Sequence, residues 1–379
     1  MKNKKYIVLL GGVGLAVVVV LFAGIVPAGP AGAAYRFSNF KGKPPIHVRT
    51  SGGKSPSGIA PSEIKKVYNL PASGGSGTIA IIDAYDDATT ENDLAVFDAA
   101  YGLAACTSKN GCLEKHLMAT STKTNSGWAL ETSLDVEWAH AIAPQAKILL
   151  VEAKTESGAN LLSAIDYATA RKDVVAVSMS WGGDEFSDEL SYDSHFASKY
   201  GAVFFASSGD GGTGVSWPAV SPSVVGVGGT SLELLANGTL VSESAWSGSG
   251  GGVSAYETQP DYQKTYSVPK ANGMRAVPDV SYDADPASGY AVYKTTGSSK
   301  NGWYTVGGTS AGAPQWAAIY ALGHSATLAA MYGDKASSST LKFFRDIASG
   351  SNGTCKYYCD ARKRYDYVTG LGSPQTVNF

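Results

Sequence analysis

Three stretches of the chain carry residue types that can attack or polarise a carbonyl group. Ser310 stands in Gly307-Gly308-Thr309-Ser310-Ala311-Gly312-Ala313-Pro314, after a strand-like run at 303–306 and ahead of a helical run at 315–322. A serine at a strand-to-helix turn, with neighbours small enough to admit a peptide backbone, suits a nucleophile. The helix N-terminus behind it favours developing negative charge. Serine is a weak nucleophile by itself, so the rest of the chain has to supply a base and an oxyanion partner.

Glu131 and Asp135 lie four residues apart in a helical pattern at 128–142. That spacing puts both carboxylates on one helix face, about one turn apart, where they can share a proton or a hydrogen bond. A solvated acidic face is the ordinary meaning of such a pair. Here Leu130, Leu134 and Val136 surround it with apolar residues, and like charges at this spacing destabilise a helix. Asp210 sits in Ser207-Ser208-Gly209-Asp210-Gly211-Gly212, where an apolar strand runs into a glycine-rich turn. It reads either as an Asx-turn residue or as an acid presented at the strand's carboxyl end, facing the same cleft as Ser310.

The elements that must position these groups alternate along the chain. Short apolar, β-branched runs at 78–82, 147–151, 174–179, 202–206 and 224–227 read as buried strands. Helical patterns at 90–101, 128–142, 160–171 and 189–199 fall among them. The fold class is therefore α/β, with a mostly parallel twisted sheet flanked by helices on both faces, and functional groups are expected at the carboxyl ends of its strands. The part at 232–306 is richer in Gly, Ser and Tyr and reads as loops and β-ribbons that return the chain to Ser310.

Glu131 to Pro144, Ser207 to Gly211 and Gly308 to Pro314 together resemble the ordered motifs of the sedolisin family, the serine-carboxyl peptidases of subtilisin-like fold. Ser180-Trp181-Gly182, Ser249 to Ser254, and Pro278 to Ser281 with Ala284-Asp285-Pro286 support the resemblance, which covers nearly all of 61–379. It implies an acyl-enzyme on Ser310, with Glu131 as base, Asp135 orienting it and Asp210 in the oxyanion hole. Acid action fits those roles. A glutamate with a pKa near 4 still accepts a proton where a histidine is already charged, and an aspartic acid donates to an oxyanion only while protonated.

A Ser/His/Asp arrangement is the nearest competing chemistry. Asp83 ends the strand at 79–82, but His116 lacks a His-Gly-Thr context and His140 lies nine residues beyond Glu131 on the same helix. Asp83, His116, His140, His195 and His324 are read as structural or surface groups, and Asp279 and Asp285 as holding loops or lining subsites.

The resemblance also implies one structural calcium ion, held by Asp346 and Asp366 with the carbonyls of Ile347, Arg362 and Arg364. Arg362 and Arg364 stand where the family pattern has glycines, so the backbone there has less freedom.

Charge is nearly balanced, 30 basic against 32 acidic residues, which gives no sign of a nucleic-acid partner. Protein or peptide substrates are the expected partners, and the chain is expected to be a monomer. Lys2, Lys4 and Lys5 precede an apolar run at 7–26 and a small-residue stretch ending at Ala34. Residues 1–34 therefore read as a signal peptide or a membrane anchor that places the rest outside the cytoplasm. Residues 35–60 read as a linker and 61–379 as the peptidase domain, and the linker is too short for the long propeptide the family commonly carries. Cys106 with Cys112, and Cys355 with Cys359, suggest two local loop staples, although sequence alone allows three pairings. A non-catalytic exported binding protein that keeps the peptidase fold is the alternative from another class.

Overall fold

Runs that are apolar at every position need cover on both faces, and here they receive it. A computed structural model describes residues 36–120, 122–296, 301–333 and 343–379, and its strands run β1 His47–Gly53, β2 Thr78–Ala84, β3 Leu113–Leu117, β4 Lys147–Ala153, β5 Val174–Met179, β6 Gly183–Asp184, β7 Val203–Ser207, β8 Ser216–Trp217, β9 Val224–Leu234 and β10 Leu240–Ala245. The main sheet has the order β10-β9-β7-β5-β2-β4-β3. All its neighbours are parallel except β10, which pairs antiparallel with β9. Later strands are β11 Gly252–Thr258, β12 Met274–Val277, β13 Val280–Asp283, β14 Tyr290–Lys294 and β15 Gly302–Gly307, and β13 joins the main sheet in parallel beside β9.

Helices are α1 Pro61–Val67, α2 Thr90–Tyr101, α3 Ser126–Ile142, α4 Gly158–Thr169, α5 Asp261–Tyr266 and α6 Gly312–Gly323. Alternate side chains of β2 feed two separate cores, as the period of a strand requires. Ile79 and Ile81 pack with Leu134, Trp138 and Trp316 from α3 and α6, whereas Ala80 and Ile82 pack with Leu161 and Ile165 from α4. The sheet thus carries helices on both faces.

Three features depart from the pattern read in the sequence. The run at 189–199, expected to be an α-helix, is a 3-10 stretch, Glu189–Phe196. β3 was not foreseen, because as an edge strand it is covered on few positions and its sequence, Leu-Glu-Lys-His-Leu, lacks a continuous apolar run. Residues 36–60, read as a linker, fall in the same compact unit as the rest, Tyr35–Phe379, and supply β1, which pairs antiparallel with β15. The apolar stretch at 7–26 lies outside the described residues. Among the described residues no helix is long and apolar enough to cross a membrane.

Both local cysteine pairs are closed, Cys106–Cys112 and Cys355–Cys359. Asp279 is fully buried and accepts from Arg275, the Gly226 amide and the Tyr332 hydroxyl, and so ties β9 to the segment around β12 and β13. Its loop-holding role is thereby specific: an unpaired buried arginine would remain without it.

Candidate active site

α3 starts where Asn125 Oδ1 accepts from the amides of Gly127 (3.0 Å) and Trp128 (3.3 Å), a side-chain cap that satisfies two free donors of the first turn. From Trp128 to Ile142 every residue of α3 is buried. A helix covered all round places its polar residues in the interior as well, and Glu131 and Asp135 are both fully buried. Ser310 is reached from the other side of the sequence. β15 ends at Gly307, and a 3-10 turn, Thr309–Ala311, then leads directly into α6.

Gly308 makes that turn possible. Its φ is +127°, and a Cβ there would collide with the Pro45 carbonyl and come within 2.6 Å of Asp210 Oδ2. Only glycine fits both the conformation and the space.

The turn, α3 and the end of β5 meet at Ser180. Its hydroxyl lies 2.9 Å from Asp135 Oδ1 and 3.2 Å from the Ser310 carbonyl oxygen, so one proton serves the carboxylate and the nucleophile turn together. Ser310 Oγ and both Glu131 oxygens are buried without completing a hydrogen bond of good geometry. The Ser310 and Asp135 side chains are nevertheless near enough to act on the charge of Glu131. Asp210 Oδ1 accepts from the Thr309 amide and the Thr309 hydroxyl, both at 2.8 Å, which fixes this acid beside the residue preceding Ser310.

Burial dominates the electrostatics. It pushes Glu131 well above the usual carboxyl range, the charge of Asp83 adds to that, and hydrogen bonding by Ser310 and Asp135 opposes it. Asp135 is raised by burial and then by the charge of Glu131, with Ser180 pulling the other way. Asp210 is raised by burial and held back first by the imidazole of His47.

Two residues at this site were missed or misread in the sequence. Asp83, taken as structural or surface, is fully buried with neither oxygen hydrogen-bonded. Burial raises it well above its ordinary range and the charge of Asp135 raises it further, so Asp83, Glu131 and Asp135 form one carboxyl cluster. Its place at the end of a buried strand was the available signal. His47, in the presumed linker, puts Nε2 3.1 Å from Asp210 Oδ2, and no motif pointed to it. The remaining histidines have separate roles. His116 stacks on Tyr167, His140 bonds the Ala104 carbonyl, His195 pairs with Asp166, and His324 meets the Ser76 hydroxyl.

In the tail, Asp346 and Asp366, the carboxylates expected at a calcium site, both hold the loop 362–366. Asp366 accepts from the amides of Arg362, Val368 and Thr369, and Asp346 accepts from the amide of Arg364. Burial raises both acids, Asp366 to about 6. Arg364 adopts a left-handed φ of +68°, a conformation that glycine takes with less strain. The buried Asp366 and the exposed Asp346, brought together by the Arg364 amide, with the carbonyls of Ile347, Arg362 and Arg364 nearby in sequence, make an all-oxygen donor set that fits a hard divalent cation.

Known proteins are similar to this chain in sequence and fold. The model of the subtilase family matches residues 116–331. Sedolisin of Pseudomonas sp. (strain 101) is 28% identical over 371 residues, covering 86% of this chain and 61% of its own length. Kumamolisin of Bacillus sp. (strain MN-32) is 32% identical over 370 residues, covering 84% of this chain and 62% of its own. The chain thus spans under two thirds of the length of the curated relatives it matches. A solved structure of Pseudomonas sedolisin, a serine-carboxyl proteinase complexed with pseudo-iodotyrostatin, superposes with a TM-score of 0.70 at 27% identity and covers 86% of this chain and 96% of that one. With the family model spanning more than half of the chain and the fold in agreement, the chain belongs to the subtilase family and, within it, to the sedolisins of subtilisin-like fold.

Proposed function

We propose that this chain is an acid-acting serine-carboxyl endopeptidase that hydrolyses peptide bonds in proteins through an acyl-enzyme on Ser310. The observation that carries this reading is the burial of Glu131 and Asp135 beside Ser310, with no histidine among their partners and Asp210 fixed to Thr309 on the other side. Three buried carboxyls cannot all ionise, so the cluster of Asp83, Glu131 and Asp135 shares protons and titrates as a unit. The ionised form of that cluster is the base. Glu131, the member facing Ser310, takes the hydroxyl proton as Oγ attacks the carbonyl carbon, and Asp135, held by Ser180, accepts a share of it. Asp210, raised by burial, keeps its proton in acid and donates it to the oxyanion. The Glu131 proton then passes to the leaving amine, and water completes the cycle by the same route.

Because both a singly ionised cluster and a protonated Asp210 are needed, turnover is expected to be bell-shaped in pH and confined to acid. Hydrolysis of a denatured protein, followed by peptide release from pH 2 to 8, checks this. An optimum near pH 8 would mean that the chemistry is not carboxyl-based.

The same reading includes one calcium ion held by Asp346, Asp366 and the carbonyls of Ile347, Arg362 and Arg364. Asp346 and the buried Asp366 would hold the ion, whose positive charge would offset theirs and tie the two segments of the tail together. Adding a chelator is expected to lower Tm by several degrees, as a ligand lost from the folded state alone must. Unchanged melting, with no metal found by elemental analysis, would remove the ion from the reading. The sequence-based assignment to the outside of the cytoplasm completes the reading.

A further inference from the structure

Cys106 and Cys112 flank a surface turn, and the chain folds both of them onto one histidine of the interior. The Sγ atoms and a ring nitrogen of His140 lie within 4.8 Å of one another. Among the described residues no other three side chains of metal-binding type bring ligand atoms so close. Cys106 and His140 are each 1% exposed, and Cys112 is half-buried against the same core. While the Cys106–Cys112 bridge is closed, two of the three ligands are engaged with each other. His140 stands far along the sequence from either cysteine, so no local spacing announces the group.

His140 is prepared beyond what a disulfide requires. It projects from the last turn of α3, and its Nε2 lies 2.9 Å from the Ala104 carbonyl oxygen and 3.5 Å from Asp98 Oδ1 of α2. A carbonyl can only accept, so Nε2 carries the proton of a neutral ring and Nδ1 keeps its lone pair. Nδ1 is buried without a partner, as is Asp98 Oδ1. Burial lowers the pKa of the ring, the Ala104 carbonyl opposes this, and the charge of Lys65 lowers it further, so the imidazole stays in the neutral form that binds metals. A ring that donates from one nitrogen to a carbonyl beside a carboxylate, and leaves the other bare, has the outer-shell pattern of a metal-bound histidine.

The turn keeps its shape by means other than the bridge. Asn110 Oδ1 accepts from the amides of Thr107 (3.1 Å) and Cys112 (3.0 Å), and Asn110 Nδ2 donates to the Ala105 carbonyl at 2.7 Å. The Cys106 amide donates to Asp98 Oδ2 at 3.1 Å, and the Cys112 carbonyl accepts from the Ile148 amide at 2.7 Å, which anchors the two ends to α2 and β4. Opening the bridge therefore leaves both thiols beside His140. Ser108 to Gly111 are exposed, with room to widen the sulfur pair to the roughly 3.8 Å that two thiolates keep on a tetrahedral zinc ion. Two thiolates and a neutral imidazole also balance a divalent charge, so the filled site is neutral, as burial demands.

We propose that Cys106, Cys112 and His140 form a reductant-gated site for a zinc-class divalent cation, shut while the disulfide is closed. It uses none of the residues assigned to catalysis or calcium and does not depend on the peptidase reading. To open it, a dithiol passes two electrons and two protons to the disulfide and closes its own bridge. The cation then bonds to both Sγ atoms and the imidazole nitrogen, the two thiol protons leave to solvent, and water fills the fourth position. In the reduced chain, metal in place of the sulfur–sulfur bond holds the turn to α3.

The test uses the full chain in saturating calcium at about pH 7.5, where thiols can give up their protons to a metal. One sample is reduced with a phosphine that is then removed without air, and the other is left oxidised. Cobalt(II) and zinc are the probes. The expected result is one additional equivalent of cobalt per reduced chain, with the visible bands of a tetrahedral site and thiolate charge transfer, displaced by zinc. Zinc should also slow alkylation of Cys106 and Cys112 at least about ten-fold, read by peptide mass, and leave Cys355 and Cys359 unprotected. Cobalt uptake should vanish in the double variant Cys106→Ser, Cys112→Ser and weaken about ten-fold or more in His140→Gln, with Tm measured for each. Equal uptake by oxidised and reduced protein, or unchanged uptake by either folded variant, overturns the proposal. So does equal protection of all four cysteines or of none, and so does reduction that unfolds the protein. Where a variant loses its fold, the alkylation pattern of the unaltered chain decides alone.

Discussion

Ser310→Ala and Glu131→Gln are each expected to lower kcat by about a million-fold, and the double variant to lose no more than either alone, because nucleophile and base act as one unit. Glutamine keeps the size of glutamate and removes only its capacity to take a proton, so the comparison isolates proton transfer from packing. The two variants should differ in stability. Burial raises Glu131 well above its ordinary range, so at neutral pH the folded chain has either to hold an extra proton in the carboxyl cluster or to bury its charge, a cost the unfolded chain does not bear. Glu131→Gln removes that cost and should raise Tm at about pH 7 while leaving it unchanged near about pH 4, where unfolded glutamate is itself largely protonated. Ser310→Ala should show no such pH-dependent gain. Single-turnover kinetics and thermal unfolding at the two pH values check both halves. A fully additive double variant would show that Glu131 is not the base for Ser310.

Stability of the whole protein is expected to be greatest in acid and to fall by at least several degrees in Tm between about pH 4.5 and 7.5. Asp83, Glu131, Asp135, Glu137 and Asp283 are all raised by burial above their unfolded values, and Glu152 is raised to about 7 by the same cause. For a carboxyl raised in the folded state, the folded chain binds more protons, so its stabilising contribution is complete below the unfolded pKa and is lost as pH rises through the folded one. At about 1.4 kcal/mol per unit, Glu152 alone contributes a change of about 3 kcal/mol. Two groups oppose the trend. Burial lowers His140, which costs stability as pH falls below its unfolded value, and Asp173 is held down to about 2 by Arg171, a contribution lost only in stronger acid. The maximum should therefore lie near about pH 4, below the range of about 5–8 common for proteins. Scans at saturating calcium keep metal binding from adding its own pH dependence. A Tm that is flat or rises from pH 5 to 8 would contradict the burial of these carboxyls.

What could be read from the sequence followed how strongly each element declares its environment. β2, β4, β5 and β7 are continuous apolar runs because both faces of a central parallel strand are covered, and such runs stand out. Glu131 and Asp135 were legible because two acids one helical turn apart, set among Leu130, Leu134 and Val136, contradict the helix around them. The strand-to-helix turn at Ser310 was legible through glycines, and Gly308 has the conformation and the tight surroundings that explain one of them. The segment at 40–47 was not. Its hold comes from backbone hydrogen bonds to Glu156, Gly158 and Gly182, which any sequence short of a misplaced proline can make, so a polar Gly/Pro/Lys segment looks like a linker. Asp83 was misread for a related reason, since an acid ending a strand shows its partners only when α3 is packed beside it.

The pairing of β1 with β15 has a consequence for how the protein is made. His47 must find Gly307 across more than two thirds of the chain, and Glu131 must find Ser310 across nearly half of it. A ribosome delivers these segments in order, and contacts of such long sequence separation form late. Until β15 and α6 have emerged, Glu131 lies in a nascent chain that has no Ser310 to meet, and β1 has no strand to join. On the proposed mechanism, a nascent chain halted before Ser310 lacks its nucleophile, and hydrolytic capacity would appear late, when β15 and the turn at Ser310 pack against α3.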